Sequence, residues 1–187
     1  VKGPHMEEIE SFYGLLPDGT AVIEMAAAAG LPLTEGNPHV ERATTFGVGQ
    51  LLMEAVRRGA RHVILGLGGS ATNDLGCGAA AAMGVRFTDK NGREFIPVGE
   101  TLDEIAQADS YAAKQALRGV RITAMCDIDN PLYGKNGAAY VFAPQKGADE
   151  AMVQLLDKKL RRAAEVIQTQ LGIDVSGIPG GGAAGGM

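Results

Sequence analysis

Ser70, Thr72, Asn73 and Asp74 are packed into one glycine-rich stretch, GLGGSATNDLGCG, between the apolar run HVILGL and a run of alanines. Glycine lets a backbone bend sharply and lets a ligand approach without Cβ obstruction. A bend of this kind between a strand and a helix presents amides to an anion, with the helix N-terminus behind it. A second group of polar residues, Asp127, Asp129 and Asn130 in CDIDNPLYG, closes another apolar run, VRITAM. Two carboxylates two residues apart, held by Pro131, are suited to orienting a hydrated Mg²⁺ or to accepting a hydroxyl proton. Each group also has a plainer reading: a capped tight turn for the first, an Asx turn for the second.

Known glycine signatures narrow the first group. No GxxxxGK[ST] is present, which removes the P-loop class. Thr72 stands where a nucleophile elbow needs its second glycine. Gly66, Gly68 and Ala71 satisfy the relaxed dinucleotide pattern GxGxxA, with Asp89 near the spacing of a ribose-binding acid, so a nicotinamide-dependent oxidoreductase remains an alternative. Against it, Gly76 and Gly78 would sit in the first turns of the helix, each costing about 1 kcal/mol relative to alanine. A non-catalytic binding module is the other alternative. If both polar groups lie at the carboxyl ends of strands in one sheet, an anion cradle beside metal-competent acids implies phosphoryl transfer.

The elements that must position these residues alternate between strands and helices. EIESFYGLLPDGTAVIEMA reads as a hairpin turning at Pro17, Asp18 and Gly19. TTFGVGQLLMEAVRRGA reads as a helix capped by Thr44 or Thr45 and stopped by Gly59. RHVILGLG and VRITAMCD are nearly unbroken apolar runs, expected as strands covered on both faces. VRFTDKNGREF is a second hairpin, and TLDEIA offers a capping box from Thr101 to Glu104. The surest helix is GADEAMVQLLDKKLRRAAEVIQTQLG. Met152, Leu155, Leu156, Leu160, Ala163, Val166, Ile167 and Leu171 form its stripe, with Lys158, Lys159, Arg161 and Arg162 on the solvated face and Gly172 as its stop. PGGGAAGGM reads either as a linker or as a segment of close backbone approach. Glu24, a lone acid in AVIEMA, reads as outward-facing strand decoration unless a cleft adjoins the hairpin.

Composition excludes several classes. With 17 Lys plus Arg against 22 Asp plus Glu the net charge is -5, and no basic cluster tracks a nucleic acid backbone. Apolar runs stop well short of the roughly 20 residues of a membrane span, so a cytoplasmic location is expected. Cys77 and Cys126 stand far apart, and His5, His39 and His62 lack paired ligand spacing, so neither zinc nor a disulfide framework is indicated.

ATTFGVGQLL, GLGGSATNDLGCG, CDIDNPLYGKNGAAYVFAPQKGA and PGGGAAGGM, in this order, closely resemble the bacterial class I glycerate kinases across essentially the whole chain. The resemblance implies an α/β fold with a mixed sheet flanked by helices, and ATP- and Mg²⁺-dependent phosphorylation of D-glycerate, usually at the 2-hydroxyl. It implies that residues 1–187 form a single α/β domain inserted into a Rossmann-like domain whose two flanks are absent, with 172–187 starting the return to it. The isolated piece is therefore expected to be inactive. Leu75 and Cys77 stand where the family commonly has glycine and alanine, and Phe46 and Val48 where it has Tyr and Thr. On this reading Gly68, Gly69, Ser70, Thr72 and Asn73 hold phosphate or carboxylate oxygens, and Asp74 caps the helix or contacts the metal. Asp127 or Asp129 is metal ligand or base, and Asn130 fixes the loop. Lys146, in PQKGA, neutralises phosphate charge or is a solvated lysine at a helix start.

Overall fold

The computed structural model describes residues 1–187. The strands are β1 (Gly14–Leu15), β2 (Thr20–Glu24), β3 (His62–Gly66), β4 (Arg86–Thr88), β5 (Glu94–Phe95), β6 (Gln107–Asp109) and β7 (Arg121–Met125). The helices are α1 (Ala26–Ala29), α2 (Phe46–Arg57), α3 (Cys77–Ala82), α4 (Tyr111–Ala116), α5 (Ala138–Phe142) and α6 (Glu150–Leu171), joined in places by short 3₁₀ turns. Two sheets result, a mixed one in the order β1-β2-β3-β7 and a smaller antiparallel one in the order β5-β4-β6. No helix is long and apolar enough to cross a membrane.

The first hairpin forms as its turn residues dictate. Gly19 takes φ +83°, and Asp18 Oδ1 accepts from the Thr20 amide at 2.9 Å. The PDG turn thus sets β1 antiparallel to β2, after which β2, β3 and β7 run parallel. Their register aligns Glu24, Gly66 and Met125, so the glycine bend after β3 and the CDID segment after β7 leave the same edge of the sheet. β7 corrects one expectation: it is an exposed edge strand, with Ile122 40% and Met125 61% accessible. An apolar run shows only that a strand can be covered, not that this chain covers it.

Two cores flank the bend. One gathers Ile23, Met25, Val48, Leu51, Leu52 and Val63 between the mixed sheet and α2. The other gathers Phe87, Leu102, Leu132, Leu156 and Leu160 around α6 and the small sheet. α6 follows its predicted period and starts at Asp149, whose Oδ1 accepts from the Met152 amide at 2.8 Å, and it stops at Gly172 with φ +71°. Leu155 of the expected stripe is exposed, whereas Lys159 leaves the solvated face to donate to Glu100 O and Asp103. The TLDEIA capping box is also corrected. Thr101 is the third residue of a 3₁₀ turn rather than its cap, and its Oγ1 accepts from the Val98 amide.

The segment PGGGAAGGM is not a free linker. Ala183 and Ala184 are buried, Gly182 N donates to Asn130 O at 2.9 Å, and Leu75 N donates to Gly185 O at 3.0 Å. Gly185 has φ +79°, and a Cβ there would collide with Thr72 O and Asn73 Cα. Gly185→Ala is therefore expected to destabilise the chain by about 2–4 kcal/mol in urea unfolding, from strain and steric overlap together. A loss under about 0.5 kcal/mol would show that the glycine segment does not hold the bend.

Candidate functional site

The polar residues of the bend divide into two sets facing opposite ways. Asp74 turns inward and is fully buried. Its Oδ2 accepts from the Thr45 amide and hydroxyl, each at 2.8 Å, from the Gly78 amide at 3.2 Å and from the Thr44 hydroxyl at 3.4 Å. Its Oδ1 accepts from the Gly76 amide at 3.2 Å. Burial pushes the carboxyl above the usual range, while the bonds from Thr45, Gly78 and Gly76 oppose the shift. Asp74 thus caps the start of α3 and ties it to the start of α2, with both carboxyl oxygens engaged. Thr45 stands at the start of α2, but its hydroxyl serves Asp74 and the Ala79 amide instead of capping its own helix.

This network explains the glycines that a dinucleotide fingerprint does not. A Cβ on Gly78 would overlap Thr44 Oγ1 and approach Phe46 N to 2.7 Å, so glycine lets α3 meet the start of α2. Leu75 takes φ +56°, a left-handed conformation that favours glycine. Thr72 donates to Ala184 O at 3.2 Å, and Asn73 is buried with its Nδ2 unpaired. Neither Thr72, Asn73 nor Asp74 lines a cavity at the sheet edge, contrary to the sequence-based assignment of Thr72 and Asn73.

The outward set is Gly68, Gly69 and Ser70. The amides of these three residues make no hydrogen bond within the chain, although the carbonyl of Gly69 accepts from Leu31 N and fixes the bend against the end of α1. All three line a cavity of about 160 Å³ together with Met125, Cys126 and Asp127 from the end of β7 and Gln145 and Lys146 from beyond α5. The glycine bend and Asp127 therefore share one mouth. α3 begins only at Cys77, and its first amides are taken by Asp74, so the cavity's donors are those of the bend itself and not of a helix N-terminus.

Lys146 is the cation of this cavity. It is 3% exposed, and its Nζ donates to Ser70 Oγ at 2.8 Å and to Thr72 O at 2.7 Å. The solvated alternative is thereby corrected. Removal from water lowers its pKa to about 8, against an opposing pull from Asp74. Asp129 and Asn130 lie outside the cavity. Asn130 Nδ2 donates to Asn136 O at 2.8 Å, and its carbonyl accepts from Gly182 N, tying the loop to the C-terminal glycine segment. Glu24 is exposed at the same sheet edge.

No cluster of three or more His, Cys, Asp or Glu side chains stands ready to hold a metal. Asp127, exposed at the mouth, fits the weaker protein share that Mg²⁺ needs when phosphates and waters supply its other oxygens. The dinucleotide alternative fits poorly. Asp89 sits at the tip of the second hairpin and accepts from the Asn91 and Arg93 amides, far in the topology from a ribose seat beside the bend.

A family model described as the glycerate kinase family matches residues 1–187. The chain belongs to the glycerate kinase family. It is 49% identical to a glycerate kinase of Bacillus cereus and 44% identical to a glycerate 2-kinase of Escherichia coli, in each case over all of this chain and 50% of the relative. A crystal structure described as glycerate kinase 2 from Salmonella typhimurium LT2 superposes with a TM-score of 0.96 at 42% identity, again over all of this chain and 50% of the other. The chain spans about half the length of the curated relatives it matches. For a glycerate kinase family chain, the features that sequence reasoning missed are the partners of Asp74, namely Thr44 and Thr45, and the unpaired state of the bend amides. Only the threonines carry a local signal, since TT precedes the helix, and it points to capping.

The buried charge has a measurable consequence. In the folded chain Lys146 has a pKa of about 8 against the ordinary lysine value of 10.5, so between these pH values the unfolded chain binds the extra proton. Stability should therefore rise from about pH 8 to 10.5, by roughly 3 kcal/mol from this group. Urea unfolding of the wild type and Lys146→Met across this range should show the increment in the wild type alone. Parallel curves would remove the buried cation from the account.

Proposed function

We propose that the protein to which this chain belongs transfers the γ-phosphoryl group of ATP to D-glycerate, with the 2-hydroxyl as acceptor. The observation that carries the proposal is the cavity in which three unpaired bend amides and Lys146 face Asp127. Donors gathered in a half-open site stabilise charge that develops on transferring phosphoryl oxygens, and a carboxylate lining the same cavity can accept a hydroxyl proton. Gly68, Gly69 and Ser70 bind and orient an oxyanion, Lys146 neutralises it, and Asp127 holds the proton taken from the acceptor or a share of the Mg²⁺ coordination. Mg²⁺, if held with the help of Asp127, would supply positive charge to offset that developing on phosphoryl oxygens.

The cavity volume limits what this chain holds by itself. About 160 Å³ is below the 300–1,000 Å³ typical of pockets for larger ligands, so it suits a phosphoryl group or a three-carbon acid and not a whole nucleotide. Base and ribose would lie beyond the mouth, toward a Rossmann-like domain supplied by the rest of the parent. On this reading residues 172–187 begin the return to that domain, and the isolated chain does not turn over.

Asp127→Asn in the full-length parent should lower kcat by about 10²–10⁴-fold, the range for loss of a general base. Phosphorus NMR of the product formed from D-glycerate and Mg-ATP checks both the rate and the hydroxyl used. Turnover within threefold of wild type would remove Asp127 from both roles. Binding of NAD(P) without binding of Mg-ATP would overturn the kinase reading itself.

A further inference from the structure

The hydrogen bond between Lys146 and Ser70 has a polarity that the charge of the lysine fixes. An ammonium group has three N–H donors and no lone pair, so Nζ can only donate to Ser70 Oγ. The hydroxyl proton of Ser70 must then point away from Lys146, and no acceptor within the chain receives it. Two of the three ammonium donors are used, by Ser70 Oγ and by Thr72 O. The third N–H and the Ser70 O–H are therefore spare donors in side chains that are 3% and 5% exposed and that line the cavity beside the unpaired amides of Gly68, Gly69 and Ser70. The three amides, the third ammonium N–H and the Ser70 O–H are thus donors left without a partner in the chain. Asp127 is the one carboxylate that lines the cavity.

We propose that Lys146 is a positioning residue that holds the Ser70 hydroxyl as a hydrogen-bond donor, making the bend a subsite that takes a fully ionised oxyanion in strong preference to a neutral hydroxyl. This rests on the reading of the cavity as the oxyanion seat. It assigns direction within it: a phosphoryl or carboxylate oxygen meets the bend, and the alcohol of the same ligand is left for the Asp127 side. It also carries a pH dependence. Once Lys146 gives up its proton near pH 8, its lone pair can accept from Ser70 O–H, and the wall loses the ammonium charge and one spare donor, the Ser70 hydroxyl, in one step. The other titratable groups around Lys146 are Asp74, from the bend, and Asp127 and the Cys126 thiol, from the end of β7; the Lys146 Cε resonance separates its own titration from theirs.

Sulfate tests this on the 187-residue chain, because it stays a dianion from pH 6 to 10. Its affinity is read from amide shifts of Gly68, Gly69 and Ser70, and the Lys146 Cε resonance reports the protonation state directly. In the wild type the affinity should fall at least about 20-fold between pH 7 and 9.5, in step with the Cε titration, and glycerol should produce no shift. Ser70→Ala should bind sulfate about 5–10-fold more weakly at pH 7 and lose several-fold less on raising the pH, because only the charge remains to be lost. An equal fall in both proteins, a wild-type affinity independent of pH, no sulfate binding at pH 7, or glycerol binding at the bend would each overturn the assignment. Failure of the kinase reading is seen separately, as absence of phosphoglycerate from the full-length parent at every pH.

Discussion

Everything at the sheet edge depends on how the chain satisfies the Asp74 carboxylate. A carboxyl group cut off from water must gather donors, and Asp74 gathers them from the start of α2, from the bend and from the first turn of α3. Those three pieces are thereby held at fixed positions relative to one another. Because the inward-facing side chains take up the helix amides, the amides of Gly68 to Ser70 are left to face outward. A stretch with several hydrogen-bonding residues thus separates into a sealed structural half and an open donor half.

The second constraint is the parallel pairing of β3 with β7. Parallel neighbours release their chains at the same edge, so the bend and the CDID segment leave side by side, two residues past the paired Gly66 and Met125. The C-terminal glycine segment closes the floor from beneath, with Ala183 and Ala184 reaching both the core of the mixed sheet and the cavity. Lys146 enters from the turn after α5 and bonds directly to the bend. Four stretches distant in sequence therefore meet in one small volume, and each has a packing reason for being there.

Local chemistry was readable wherever a residue's neighbours in sequence are also its neighbours in space. The PDG turn, the Asp149 cap, the Gly172 stop and the period of α6 rest on contacts within a few residues, and the sequence alone determines them. The kinship with glycerate kinases was equally legible, because long blocks keep their order and spacing from one end of the chain to the other. Tertiary structure decided what remained ambiguous at each polar residue. Asp74 and Asp127 are the same chemical group beside similar strands, yet one is enclosed by five donors and the other opens on a cavity. Lys146 reads as a solvated lysine until the fold sets it 2.8 Å from a serine 76 positions away. The apolar β7 reads as buried until the fold sets it at the edge of the sheet with its side chains exposed. Spacing along the chain carries turn geometry and periodicity, whereas burial, charge state and hydrogen-bond direction depend on what the rest of the chain brings alongside.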